Sequence, residues 1–189
     1  MGDIEPKLFV ISGPSGAGKG TLVARVRDRV PGLGLTVSAT TRKPRAGEID
    51  GVNYHFISED EFTRRIENGE FIEWAQVHDH RYGTLVSEVS SKLASGHSLI
   101  LEIDVQGALM VKERFPEAIL IFIEPPSLEI LEQRLVGRGT ETEESIALRL
   151  SNAEHELSLA DRYDVRLVND DLDRATDELV STLENYERN

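Results

Sequence analysis

The chain has 189 residues, no cysteine and a formal net charge of −13. That length suits one domain with small appended subdomains, which can bury roughly 70% of its unfolded surface without covalent staples. The missing thiols exclude disulfides and thiolate metal sites, and the acidic balance disfavours a general binder of nucleic acid or anionic membrane. The first residues form no cationic, apolar leader, and no apolar run approaches membrane length. Met1-Gly2 lacks the Ser or Thr that myristoylation needs, because Pro6 stands there. These features lead to the expectation of a soluble cytoplasmic protein without nucleic-acid or membrane partners. Oligomeric state is not legible, and a monomer is the default.

Residues 7–21 read KLFVISGPSGAGKGT. An apolar strand, Leu8–Ser12, feeds a glycine-rich loop, and a helix over Lys19–Val30 follows. This strand–loop–helix context marks a phosphate-binding loop. Gly13, Gly16 and Gly18 let backbone N–H groups turn inward around phosphate oxygens, and the helix adds its positive dipole end. Lys19 adds a cation that can follow transferring charge. The Ser or Thr usual after the lysine is replaced by Gly20, with Thr21 next. An acidic protein that binds phosphate must concentrate its positive charge locally. It carries 16 arginines against 5 lysines, and arginine grips phosphate with a planar fork.

The next segment, about 36–84, has a different texture. Ser38-Ala-Thr-Thr-Arg42-Lys-Pro-Arg45-Ala-Gly-Glu48 contains a proline that forbids a regular helix, so Arg42 and Arg45 belong on a loop and can hold a second phosphate. A solvated basic loop is the ordinary alternative. Asp50-Gly51 predicts a hairpin, with Val52, Tyr54 and Phe56 alternating as a half-buried strand. Ser58 with Glu61 forms a capping box for a helix that ends at Asn68-Gly69. Glu73, beside Trp74, reads by default as an edge-strand surface acid, and Tyr54 and Tyr82 read as core or rim aromatics.

From Val86 onward helices alternate with apolar strands, which predicts a parallel α/β core. Helices are expected over Val86–Ala94, Gly107–Arg114, Ser127–Val136, Glu143–Ala160 and Leu172–Tyr186. Strands are expected over Ser98–Asp104, Ala118–Glu124 and Val165–Asn169. Glu102 and Asp104 end one strand on the side where open α/β sheets bind ligands, although an Asp there also serves as a helix cap. Arg134 and Arg138, four apart, share a face if their helix runs on, with no acid behind either to neutralise it. Residues 136–145 join two helices through Gly137 and Gly139, and Thr140 with Glu143 reads as another capping box. This polar, glycine-hinged stretch predicts a lid, with Arg149 on the helix beyond it. The histidines show no metal or triad spacing.

Together the motifs resemble the guanylate kinase family over nearly the whole chain. The matching stretches are GPSGAGKGT, SATTRKPRAGE, NYHF, EFIEWAQV, RYGT, EIDVQG, RLVGRGTETEES and VNDDL. The resemblance implies a P-loop NTPase-type parallel sheet flanked by helices, with a small mixed β lobe for GMP and a helical lid. The single domain divides into a core of about 1–36, 85–136 and 151–189, a GMP lobe of about 37–84 and a lid of about 137–150. It implies phosphoryl transfer from MgATP to GMP, with both nucleotides as partners and Mg²⁺ as cofactor. Ser15, Gly16, Ala17, Gly18, Lys19, Gly20 and Thr21 would hold the ATP phosphates, with Arg134 assisting and Asn169 and Asp170 beside the adenine. Arg42, Arg45, Tyr54 and Tyr82 would hold the GMP phosphate. Ser38, Glu73 and Thr84 would meet the guanine, with Glu102 and Asp104 nearby. Lys19, Arg45, Arg138 and Arg149 would act on the transferring group, and Thr21 would meet Mg²⁺ directly or through water.

Guanine offers donors at N1 and N2 beside an acceptor at O6, which suits a carboxylate at Glu73 and a hydroxyl at Ser38. Gly20 and the longer arm of Glu102 depart from common family patterns. Two rivals remain on the sequence alone. A scaffold-type peptide-binding relative would be expected to have a degraded phosphate loop, and this one is intact. A GTPase switch would carry an Asn-Lys-x-Asp signature, and none occurs.

Overall fold

The computed structural model describes residues 5–77, 79–137 and 142–188. Two sheets organise them. The larger has five parallel strands: β1 (Leu8–Ser12), β2 (Gly34–Leu35), β7 (Leu99–Glu102), β8 (Ile119–Glu124) and β9 (Val165–Val168), in the spatial order β2-β7-β1-β8-β9. The smaller is mixed. It contains β3 (Ala39–Thr40), β4 (His55–Phe56), β5 (Phe71–Val77) and β6 (His80–Leu85), in the order β4-β3-β6-β5.

The parallel sheet is buried on both faces, which explains why its strands read as continuous apolar runs. Leu8 and Val10 point to one side, with Leu120 and Phe122. Phe9 and Ile11 point to the other, with Ile121 and Ile123. The first side is covered by α3 (Val86–Ala94) and α4 (Val105–Arg114) through Val89, Ala108 and Val111. The second is covered by α1 (Lys19–Arg29) and α7 (Leu172–Glu187) through Leu22, Val26, Ala175, Leu179 and Leu183. The apolar spacing of the last helix therefore lands on the core as its period requires. A third cluster lies within the small sheet, where Ala39, Phe62, Phe71 and Leu85 pack beneath α2 (Glu59–Glu67). A fourth joins α5 (Leu128–Val136) to α6 (Glu143–Ser158) through Leu131, Leu135 and Ala153.

The predicted elements mostly appear, with shifted ends. Helix α2 is capped by Ser58, whose side chain accepts from the Glu61 N–H. Helix α4 begins two residues before the expected Gly107, because the Asp104 side chain accepts from the Gly107 N–H and so sits at the cap itself. Two expectations need correction. Asp50-Gly51 does not turn a hairpin: β4 pairs in parallel with β3, and Asp50 meets Tyr54 in an isolated bridge. The reason is local. Asp50 Oδ1 accepts from the Phe56 N–H at 2.8 Å and Asn53 Oδ1 accepts from the Ile49 N–H at 2.9 Å, so side chains satisfy the backbone that a hairpin ladder would have used. Val52 accordingly lies exposed rather than in a strand. Helix α6 is capped by Thr142, whose hydroxyl accepts from the Ser145 N–H, not by Thr140, which lies outside the described residues.

Candidate active site

Strand β1 ends in the middle of the parallel sheet, and the loop after it turns across the carboxyl ends of its neighbours. Gly13 adopts φ 142°, and a Cβ there would sit 2.2 Å from the Ile123 carbonyl oxygen. Only glycine lets the loop pass so close to β8. Gly18, at φ 90°, caps α1, and the helix N-terminus opens at Lys19. Lys19 Nζ donates to the carbonyls of Gly13 at 2.6 Å and Pro14 at 2.9 Å, which folds the ammonium over the loop it serves. Ser15, Gly16, Gly18, Gly20 and Thr21 line a cleft of about 270 Å³, and Glu102 faces them from β7.

A second hollow of about 200 Å³ adjoins it, lined by Gly16, Gly18, Thr21, Arg134, Asn169 and Asp170. Asn169 is buried and braces the phosphate loop, donating from Nδ2 to the Ala17 carbonyl at 2.8 Å. Its own carbonyl accepts from Arg134 at 2.9 Å. Asp170 is tied to Arg174, which holds its carboxyl below the ordinary range. From α6, Arg149 reaches the Ser15 hydroxyl at 2.5 Å. Also on α6, Glu156 lines a cleft of about 370 Å³ with Asp104, Gln106 and Asn152. Burial raises the Glu156 carboxyl, nearby Lys19 opposes that, and the Asp104 charge adds to it.

The small sheet lines this same cleft through Ala75, Gln76 and Val77 of β5. Glu73 is 7% exposed and faces Thr84 across the β5–β6 ladder, with the Thr84 hydroxyl donating to Glu73 Oε1 at 2.7 Å. Burial raises the Glu73 carboxyl, the Thr84 bond opposes this, and Asp104 adds to the rise. Arg42 is nearly enclosed. One guanidinium nitrogen donates to Glu48 Oε1 at 2.8 Å, another to the Lys43 carbonyl, and the plane lies 5.5 Å from the Tyr54 ring centre. Glu48, above all, pushes the Arg42 pKa up, and Arg42 in turn holds Glu48 down. Glu48 Oε2 also accepts from the Arg45 backbone N–H at 2.7 Å, leaving the Arg45 side chain exposed. Tyr54 and Tyr82 meet edge to face at 5.9 Å.

The guanylate kinase family model matches residues 5–186. This chain belongs to the guanylate kinase family. A guanylate kinase from Caldanaerobacter subterraneus subsp. tengcongensis is 53% identical over 91% of this chain and 84% of its own. One from Fusobacterium nucleatum is 50% identical over 94% and 96%. The crystal structure of guanylate kinase from Anaplasma phagocytophilum is 32% identical and superposes with a TM-score of 0.76, covering all of this chain and 90% of that one.

Within this guanylate kinase fold, the residues singled out in the sequence fall into two groups. Ser15, Gly16, Ala17, Gly18, Lys19, Gly20, Thr21, Arg134, Asn169, Asp170 and Arg149 gather at the carboxyl end of the parallel sheet. Glu102, expected near the guanine, faces the phosphate loop, its carboxylate 3.8 Å from where a Cβ on Gly20 would stand. Ser38, Arg42, Arg45, Tyr54, Glu73, Tyr82 and Thr84 belong to the small sheet and its loop. Asp104 is the cap of α4 and at the same time lines the cleft shared with Gln106, Asn152 and Glu156. Arg138 lies outside the described residues. Glu48 and Glu156 carried no predicted role. Glu48 had a signal, since two arginines three apart on one loop need a counter-ion nearby. Glu156 had none, because its place depends on how α6 crosses the core.

Proposed function

We propose that the two groups divide one reaction, in which ATP gives its γ-phosphoryl to GMP and yields ADP and GDP. The observation that carries the acceptor assignment is the buried Glu73–Thr84 pair, whose carboxylate lies beside Gly107 and Asp104 at the start of α4. A carboxylate there accepts from guanine N1–H and N2–H, while the Ser38 hydroxyl donates to O6. Adenine offers an unprotonated N1 and would leave the buried carboxylate unpaired. A site of this kind discriminates by roughly 10⁴-fold. Arg42 and Arg45, with the Tyr54 and Tyr82 hydroxyls, hold the GMP phosphate. The loop Ser15 to Thr21 holds the ATP phosphates, and Arg134, Asn169 and Asp170 flank the adenine.

A GMP phosphate oxygen attacks the γ-phosphorus in line, and the bond to the β–γ bridging oxygen breaks, with its electrons leaving on ADP. No protein nucleophile takes part. Alignment and charge neutralisation supply the catalysis. Lys19 leaves the Gly13 and Pro14 carbonyls to follow the β- and γ-oxygens, and Arg45, Arg138 and Arg149 gather round the equatorial oxygens. The lid, residues 137–150, excludes water that would otherwise accept the phosphoryl group. The cleft suits magnesium, because the Thr21 hydroxyl and the Glu102 carboxylate are hard oxygen donors on the phosphate side, and this ion keeps much of its water and phosphate shell. When bound it would neutralise phosphate charge, with Thr21 and Glu102 holding it directly or through water.

The test is a coupled ADP-release assay with GMP, AMP, UMP or no acceptor. ADP release that depends on GMP is expected. Equal rates with AMP would refute the guanine assignment.

A further inference from the structure

We propose that Glu88 is a positioning residue for the guanine site: it pins the backbone at Val37 and thereby aims the Ser38 hydroxyl at the base. This rests on the reading that the chain phosphorylates GMP.

Residues 36–38 carry the chain from β2 of the parallel sheet to β3 of the small one. The crossing is held by side chains from α3. Glu88 Oε1 accepts from the Val37 N–H at 3.2 Å and from Lys92 Nζ at 2.6 Å. Lys92 Nζ also donates to the Leu35 carbonyl at 2.8 Å. On the other side, Glu88 Oε2 lies 3.8 Å from His55 Nε2. The His55 backbone N–H donates to the Ser38 carbonyl at 2.9 Å. One carboxylate, its side chain only 16% exposed, therefore grips the residue before Ser38 and faces the residue that bonds Ser38 itself.

The Val37 bond needs an acceptor, and the carboxylate supplies one that also pairs with the Lys92 ammonium and faces the His55 imidazole. Burial pulls the Glu88 carboxyl upward, but the Lys92 bond and the Val37 amide outweigh it, so the group stays ionised. Glu88, Ser87 and Leu85 face His55, Ile57 and Arg65 across a hollow of about 450 Å³. Thr36 is tied separately, its N–H donating to the Ile100 carbonyl at 3.3 Å, so the Glu88 carboxylate holds the part of the crossing next to Ser38.

The experiment is steady-state kinetics of the wild type, E88A, E88Q, S38A and the E88A/S38A double variant. E88A should raise the GMP KM about tenfold, the effect of one charge-assisted hydrogen bond, and leave kcat and the ATP KM within about twofold. E88Q keeps an acceptor for Val37 and should restore most of the affinity. The double variant should bind GMP no worse than S38A alone, because Glu88 acts through Ser38. Multiplying effects in the double variant, or a fall in melting temperature and kcat with an unchanged GMP KM, would overturn the proposal. Should E88A not fold, E88D withdraws the carboxylate from Val37 while keeping its charge beside Lys92. The same rise in GMP KM is expected from it, and an unchanged value would overturn the role. A wild type that turns over no GMP would instead overturn the parent reading, and this role with it.

Discussion

The proposed donor and acceptor halves of the site are built by different means. The donor half is backbone. Its shape follows from Gly13 passing against the Ile123 carbonyl, from the start of α1 and from Asn169 clamping Ala17, all anchored in the double-faced core. The acceptor half is side chain upon side chain. Arg42 depends on Glu48, Glu73 on Thr84, and two of the four strands beneath are only two residues long. A backbone site is held by the fold and tolerates change at its rim. A side-chain site stands only as long as each counter-ion and hydroxyl is present, so specificity is cheaper to lose there than phosphate binding.

Substitutions on each side sharpen the contrast. Lys19→Ala removes the cation proposed to follow the transferring charge, and kcat should fall roughly 10³-fold with the GMP KM changed by less than about threefold. A larger effect on the GMP KM than on kcat would break the division of labour. Glu73→Gln should raise the GMP KM about 10²-fold and narrow the preference for GMP over AMP, since one acceptor oxygen becomes a donor facing guanine N–H groups. That residue also has a pH signature. Burial raises its folded-state carboxyl above the unfolded value, so the folded protein holds the proton longer. The resulting destabilisation is absent below the ordinary carboxylate value and complete above the raised one. The melting temperature of Glu73→Gln relative to wild type should therefore climb as pH rises through that window. GMP affinity of the wild type should weaken as pH falls through it. Last comes a control away from both halves: Asp177→Asn breaks an exposed bridge to Arg29 at 2.5 Å and should cost less than about 1 kcal/mol in denaturant unfolding, with no kinetic effect.

The same contrast explains what the sequence could disclose. The donor loop is contiguous, and its glycines, lysine and flanking strand are visible in fifteen residues. Four of the parallel strands are apolar runs and their helices carry clean periodicity, so they were legible with ends shifted by up to two residues, whereas β2 at Gly34–Leu35 is too short to show a pattern. The acceptor lobe was not. A register shift in β5 between Phe71 and Glu73 buries Phe71, Ile72 and Glu73 in succession, with Phe71 in the lobe's own cluster and Ile72 in the main core. No period of two predicts that, so residue pattern alone made Glu73 a surface acid, and only the family resemblance placed it at the base. The loop at 49–56 failed similarly, because Asp50 and Asn53 replaced a hairpin ladder with side-chain bonds. Asp104 shows the limit of either/or reasoning, since it is both the helix cap and part of the cleft wall.

That shift in β5 also sets the next residue. Trp74, the chain's single tryptophan, is turned outward beside Glu73, 38% exposed and edge-on to Phe62. The molecule thereby carries its own optical probe, one peptide bond from Glu73, the residue proposed to meet the guanine. Its emission should follow GMP titration and stay still for ATP, so the filling of one half of the site can be watched in unlabelled protein while the other half is varied at will.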